Sequence, residues 1–181
     1  MQKSYASLLR AAFTLAIACM LSACSPKFDW RVVRGNPVPF EVLLPAKPAS
    51  MTRPVDLGVA QVEMTMTAAE VDGVTFAVGA ATLPAAAGAS AALSAMKTAL
   101  VLNIHGSIKR ETGDPKDAGK AGAAPLEVEA IGARAPNGAE LLLLARFVAK
   151  DARVYQVLVL GPPQKVVRAE ADTFFSSFKP D

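Results

Sequence analysis

The side chains that could do chemistry in this chain are few and scattered. Cys19 and Cys24 close an apolar N-terminal run, and His105 is the single histidine. Glu127 and Glu129 are spaced to share one face of a strand, the arrangement a carboxylate-based hydrolase would require. The segment Gly113-Asp114-Pro115-Lys116-Asp117-Ala118-Gly119-Lys120 has the glycines and lysines that phosphate cradles use.

Most of these groups lack the company their chemistry needs. One histidine cannot build a multi-histidine metal centre, and no Gly-x-Ser-x-Gly elbow supplies a nucleophile for it. His105 follows an expected helix, where an imidazolium would interact favourably with the helix dipole. The 113–120 segment has five residues between its glycines where a phosphate loop has four, and Ala121 stands where Ser or Thr would hold magnesium. Asp114 and Asp117 lack the further carboxylates of a calcium loop, so a solvated surface loop is expected. If Asn137-Gly138 is a two-residue turn, Glu129 lies opposite Arg146, and a cross-strand ion pair competes with the catalytic reading. No metal site and no cofactor other than a covalent lipid is expected.

Cys24 is different, because its surroundings are complete. Lys3 and Arg10 precede a run from Ala11 to Leu21 that is apolar except for Thr14. As a helix that run would be about 16 Å long, against a hydrocarbon core of about 30 Å, so it reads as a signal segment and not a membrane span. Leu21-Ser22-Ala23-Cys24 resembles the lipobox of bacterial lipoproteins. The resemblance implies diacylglycerol on the Cys24 thiol, cleavage between Ala23 and Cys24, and acyl chains that make attachment effectively permanent. Ordinary secretion is the competing reading, but Leu21 would then sit at −3, where a small residue is preferred. Ser25, in place of the retention residue Asp, implies the outer membrane by the same resemblance, on its periplasmic face.

Residues 1–23 are therefore read as signal, 24–36 as an acylated tether and 37–181 as one domain. Removing 23 of 181 residues leaves 158, enough for a substantial core. Of the 19 lysines and arginines Lys3 and Arg10 are lost, so 17 remain against 16 acids, a net charge of +1. That balance offers no footprint for nucleic acid. Cys24 is left as the sole cysteine, which excludes an internal disulfide. Trp30, with Arg31 and Arg34, lies near the anchor and either rests on the membrane interface or packs on the domain edge.

The elements that must position these residues follow from periodicity. Val38, Phe40, Val42 and Leu44 alternate and stop at Pro45. Residues 59–70 and 74–83 flank the hairpin signal Asp72-Gly73. Leu93, Met96, Leu100 and Ile104 mark a helix that Gly106 can end. After a short strand at 107–112, strands from 126 to 160 turn at Asn137-Gly138 and at 150–153. The runs 141–148 and 154–160 are nearly continuous in apolar residues, which implies burial on both faces. Val167, Ala171, Phe174 and Phe178 mark a closing helix. The expected class is α+β, with a mostly antiparallel sheet of about six strands between helices, an α/β/α sandwich. Phe175 falls off the inward face of the last helix and is a candidate contact for a partner.

The segments Pro39-Phe40-Glu41-Val42-Leu43-Leu44-Pro45, Val154 to Pro162 and Phe174-Phe175-Ser176-Ser177-Phe178-Lys179-Pro180 resemble bacterial proteins of the PsbP-like superfamily. The resemblance implies an antiparallel sheet between helices and binding or assembly roles, with no catalytic residues to carry over. The leading expectation is a lipid-anchored, non-enzymatic envelope protein whose partners are membrane lipid and an envelope protein. A carrier or sensor of a small apolar ligand is the first alternative, and a carboxylate hydrolase the second.

Overall fold

The computed structural model describes residues 27–84, 88–117, 120, 124–134 and 138–181, without the side chain of Arg134. Ala23, Cys24 and Asn137 lie outside the described residues, as does part of the 113–120 loop. The fold is α+β, with ten strands in two antiparallel sheets and two α-helices among the described residues.

The hairpin signals set much of the main sheet. Strands β4 (Gln61–Val71) and β5 (Val74–Thr82) join through Asp72 and Gly73, at φ 53° and 79°, which fits the right-handed twist of the paired strands. Strands β8 (Ala139–Lys150) and β9 (Arg153–Gly161) join at 151–152, with Asp151 at φ 54°. With β3 (Ala49–Asp56), β6 (Ser107–Thr112) and β7 (Leu126–Arg134), the order is β3-β4-β5-β9-β8-β7-β6. A smaller sheet has the order β1-β2-β10, from β1 (Arg31–Arg34), β2 (Phe40–Leu44) and β10 (Lys179–Pro180).

The expected burial of β8 and β9 on both faces holds. Every residue from Leu141 to Ala145 and from Val154 to Val159 is buried. Leu141, Leu143, Ala145 and Phe147 face one core with helix α1 (Ala89–Asn103), which buries Ala92, Leu93 and Met96. Leu142 and Leu144 face a second core with helix α2 (Arg168–Ser177), which buries Ala171 and Phe174. Val38, Phe40, Val42 and Leu44 also belong to that second core, so the small sheet and α2 share one face.

Four details depart from expectation. The main sheet has seven strands and not about six, because β3 carries no apolar alternation. As an edge strand exposed on nearly its whole length, β3 needs none, and it tolerates Pro54. The strand at Val38–Leu44 belongs to the small sheet and not to the main one. Residues 31–34, placed in the tether, instead pair with β2, so the folded body begins earlier. Finally, the left-handed residue that ends α1 is His105 (φ 47°), while Gly106 follows it and donates its N–H to the Val101 carbonyl.

Candidate functional site

Glu127 and Glu129 project from β7 toward α2, as the two-residue strand period requires, and line an open cleft of about 210 Å³ with Arg110, Arg146, Arg168 and Phe175. The expected pairing partner is wrong by two residues. Glu127, not Glu129, lies opposite Arg146, because Arg134 pairs with Ala139 and the β7–β8 connection spans 135–138. Arg146 donates from Nε to Glu127 Oε1 at 2.9 Å and from Nη1 to the Phe175 carbonyl at 3.1 Å. Its guanidinium also stands 5.3 Å from the centre of the Phe175 ring.

Glu129 is held by a different arginine. Arg168, the first residue of α2, donates Nη2 to Oε1 at 2.7 Å and Nη1 to Oε2 at 3.1 Å, a two-pronged grip. Arg110 stands opposite Glu129 on β6. The Arg168 hydrogen bonds hold the Glu129 carboxyl below the usual glutamate range, and those same bonds raise the Arg168 guanidinium above its ordinary value. An acid shifted downward is ionised at neutral pH and cannot serve there as a proton donor. Each carboxylate is held by an arginine: Glu129 by Arg168 at the start of α2, and Glu127 by Arg146, which also bonds the Phe175 carbonyl near the helix end.

The other candidate residues disperse. Trp30 is half-buried, stacked on Phe28 at 5.8 Å and set edge-on to Phe76 at 6.3 Å. The indole packs against the second core. Arg31 and Arg34 are exposed and pair with Asp29 and Glu41. Phe175 is half-buried beneath Arg146. His105 is exposed, and Lys120 pairs with Asp117 at 2.7 Å within the 113–120 loop. No group of three His, Cys, Asp or Glu side chains converges on a metal position among the described residues.

Sequence reasoning missed Arg168 and Arg110. Arg168 lies 39 positions from Glu129, and no local spacing signals such a pairing. A second missed contact is at the N-terminal end, where Lys27 Nζ meets Asp72 Oδ2 at 2.8 Å on the β4–β5 turn. Lys165 Nζ donates to the Asp72 carbonyl at 3.1 Å from the other side.

No protein-family model matches the chain, and comparison with curated proteins finds no similar sequence.

Proposed function

We propose that this is a lipid-anchored, non-enzymatic binding or assembly module, held by acylated Cys24 to the periplasmic face of the outer membrane. In this reading the folded part is an α/β/α sandwich of the PsbP-like kind. The observation that carries it is the shortness of the link between anchor and body. Two residues separate Cys24 from Lys27, three steps that reach at most about 11 Å, and Lys27 is already paired to the β4–β5 turn. Phe28 and Trp30 then pack on Phe76, so the chain is fixed almost at once. An anchored chain of this design presents the Asp72-Gly73 turn to the headgroups and the opposite end of the sheet to the periplasm.

The reading also draws support from the cleft, where each glutamate is taken by an arginine and α2 is locked in place. A carrier of an apolar ligand would need an enclosed cavity. The α2 cleft and the groove beside Phe147 and Leu126 are both open to solvent.

The test is the mass of the mature N-terminus, followed by crosslinking in cells and pull-down from the envelope, comparing wild type with Cys24→Ser. A triacylated N-terminal cysteine and one dominant partner, lost with the anchor, are expected. An unmodified N-terminus would overturn the anchor, and equal partner recovery from both forms would overturn the tethered role.

A further inference from the structure

The face of the main sheet that carries α1 has an uneven cover. The helix packs chiefly on β7, β8 and β9, which leaves the β3–β4 end more open. Three thioethers are gathered there. Met64 and Met66 are two apart on β4 and so share that face, and Met51 on β3 is the register partner of Met66. Their exposure is graded: Met64 is buried, Met66 half-buried, and Met51 is 66% exposed on the edge strand.

Gly79 brings this group to a polar side chain. It sits between Met66 and Gln156 in register, on the intervening strand β5. A Cβ at Gly79 would lie 2.6 Å from Met66 Sδ and 2.8 Å from Gln156 Nε2, so these two side chains occupy the space above the glycine. Gln156 is buried, and its Nε2 lies 3.3 Å from Met66 Sδ and 3.7 Å from Met64 Sδ. A thioether is a weak acceptor, and here a buried amide has two of them as its nearest partners. Two soft donors thus both face the Gln156 amide nitrogen, on long side chains with three rotatable bonds each, and a third is carried by the neighbouring edge strand.

We propose that Met64 and Met66, completed by Met51, form a binding site for a soft monovalent metal ion, Cu(I) in kind. Thioethers select such ions over the hard cations that prefer oxygen. The residues paired across the strands from Met64, Met66 and Gln156 are Arg53, Met51, Gly79 and Phe147, none of them a carboxylate. With no carboxylate present and the Arg53 guanidinium on the same face opposite Met64, a divalent ion would meet uncompensated repulsion, and a monovalent ion meets half as much. Gln156 supplies a carboxamide beside the sulfurs, and exposed Met51 marks the side from which an ion enters.

The test uses the full chain in detergent with Cys19→Ser and Cys24→Ser, so that no thiol competes, and methionine methyls labelled for NMR. Ag(I) serves as the redox-inert probe, and Cu(I) is measured in competition with a chromophoric chelator. Saturable shifts at Met64, Met66 and Met51 are expected, with Met96 beneath α1 unmoved. Met64→Leu and Met66→Leu keep side-chain volume and each weaken binding about tenfold or more, while the unfolding midpoint moves little. Should Met64→Leu disturb the fold, half-buried Met66→Leu alone decides. No saturable shift, equal shifts at Met51, Met64, Met66 and Met96, or affinity unchanged in the leucine variants would overturn the site. A stationary Met51 methyl would overturn its place as third donor.

Discussion

Arg146→Met tests whether the cleft is a clamp for α2. The substitution keeps the aliphatic stem against the sheet and removes only the guanidinium. Three interactions go with it. The pair with Glu127, whose side chain is 45% exposed, contributes about 0.5–1 kcal/mol. The bond to the Phe175 carbonyl contributes about 1 kcal/mol, and the contact with the Phe175 ring about 0.5–1 kcal/mol. These overlap, since one group makes all three, so the expected loss is about 2 kcal/mol, or about 4–8 °C in a domain of this size. Urea unfolding gives the free energy, and hydrogen exchange of the α2 amides shows where it is lost. Glu127→Gln alone should cost about 0.5–1 kcal/mol and add little in the Arg146→Met background. Arg146→Lys should recover only part, because an ammonium cannot reach carboxylate and carbonyl in one planar fork. A loss below about 0.5 kcal/mol, or full rescue by lysine, would refute the clamp.

Acidification should release the other glutamate. The Glu129 carboxyl is depressed in the folded state, so its contribution is fully present above the unfolded glutamate range and is lost as pH falls through the lower folded value. Urea midpoints from neutral pH to about pH 3 should therefore fall less steeply in Glu129→Gln than in wild type, and parallel curves would count against the pairing. Gly132→Ala should cost about 3 kcal/mol or prevent folding, because the new Cβ would lie 2.1 Å from the Ile104 carbonyl oxygen, and backbone cannot step aside. Yield and unfolding midpoint report this directly, and a near-wild-type midpoint would show the approach to be looser. Tyr155→Phe removes the hydroxyl that donates to the Pro39 carbonyl at 2.9 Å, with an expected loss of about 1 kcal/mol on urea unfolding. An unchanged midpoint would show that this bond adds nothing net.

The parts of the fold legible in the sequence are those where one residue type has one structural use. Asp72-Gly73 demands two positive φ values and so announced its hairpin, and the apolar runs of β8 and β9 announced burial on both faces. Asn137-Gly138 was read by the same rule and misled, because the connection is longer and its register is displaced by two. A shift of two keeps every side chain on its face, so hydrophobic pattern alone cannot detect it. That is why the sequence placed both glutamates on the correct face and yet gave Arg146 to the wrong one. Strand β3 was invisible for a related reason. Its pairing with β4 runs through Ser50–Thr67 and Thr52–Thr65 hydroxyl contacts at 2.9 and 2.8 Å, and polar residues of that kind read as loop.

The two ends of the main sheet bear on how a partner could be held. An exposed edge strand is the simplest place for another chain to add, yet both edges here are guarded. At β6 the register shifts between Ile108 and Arg110, and Lys109 and Arg110 put charge on the strand. At β3, Arg53 and Pro54 interrupt the run, and a proline gives no N–H to a ladder. Strand addition is therefore disfavoured at either end, and a partner of the proposed kind would be recognised through side chains on a face. On the α2 side the cleft is open, but its two glutamates are already paired with arginines. Another exposed surface is the β3–β4 end of the α1 face, where Met51 lies 66% exposed beside half-buried Met66. The same methionines that offer soft donors to a metal are the adaptable apolar contacts that a protein partner would use. If both occur, metal and partner must compete for Met51 and Met66, so Ag(I) added before the crosslinker should lower partner recovery from wild type and lower it less from Met66→Leu.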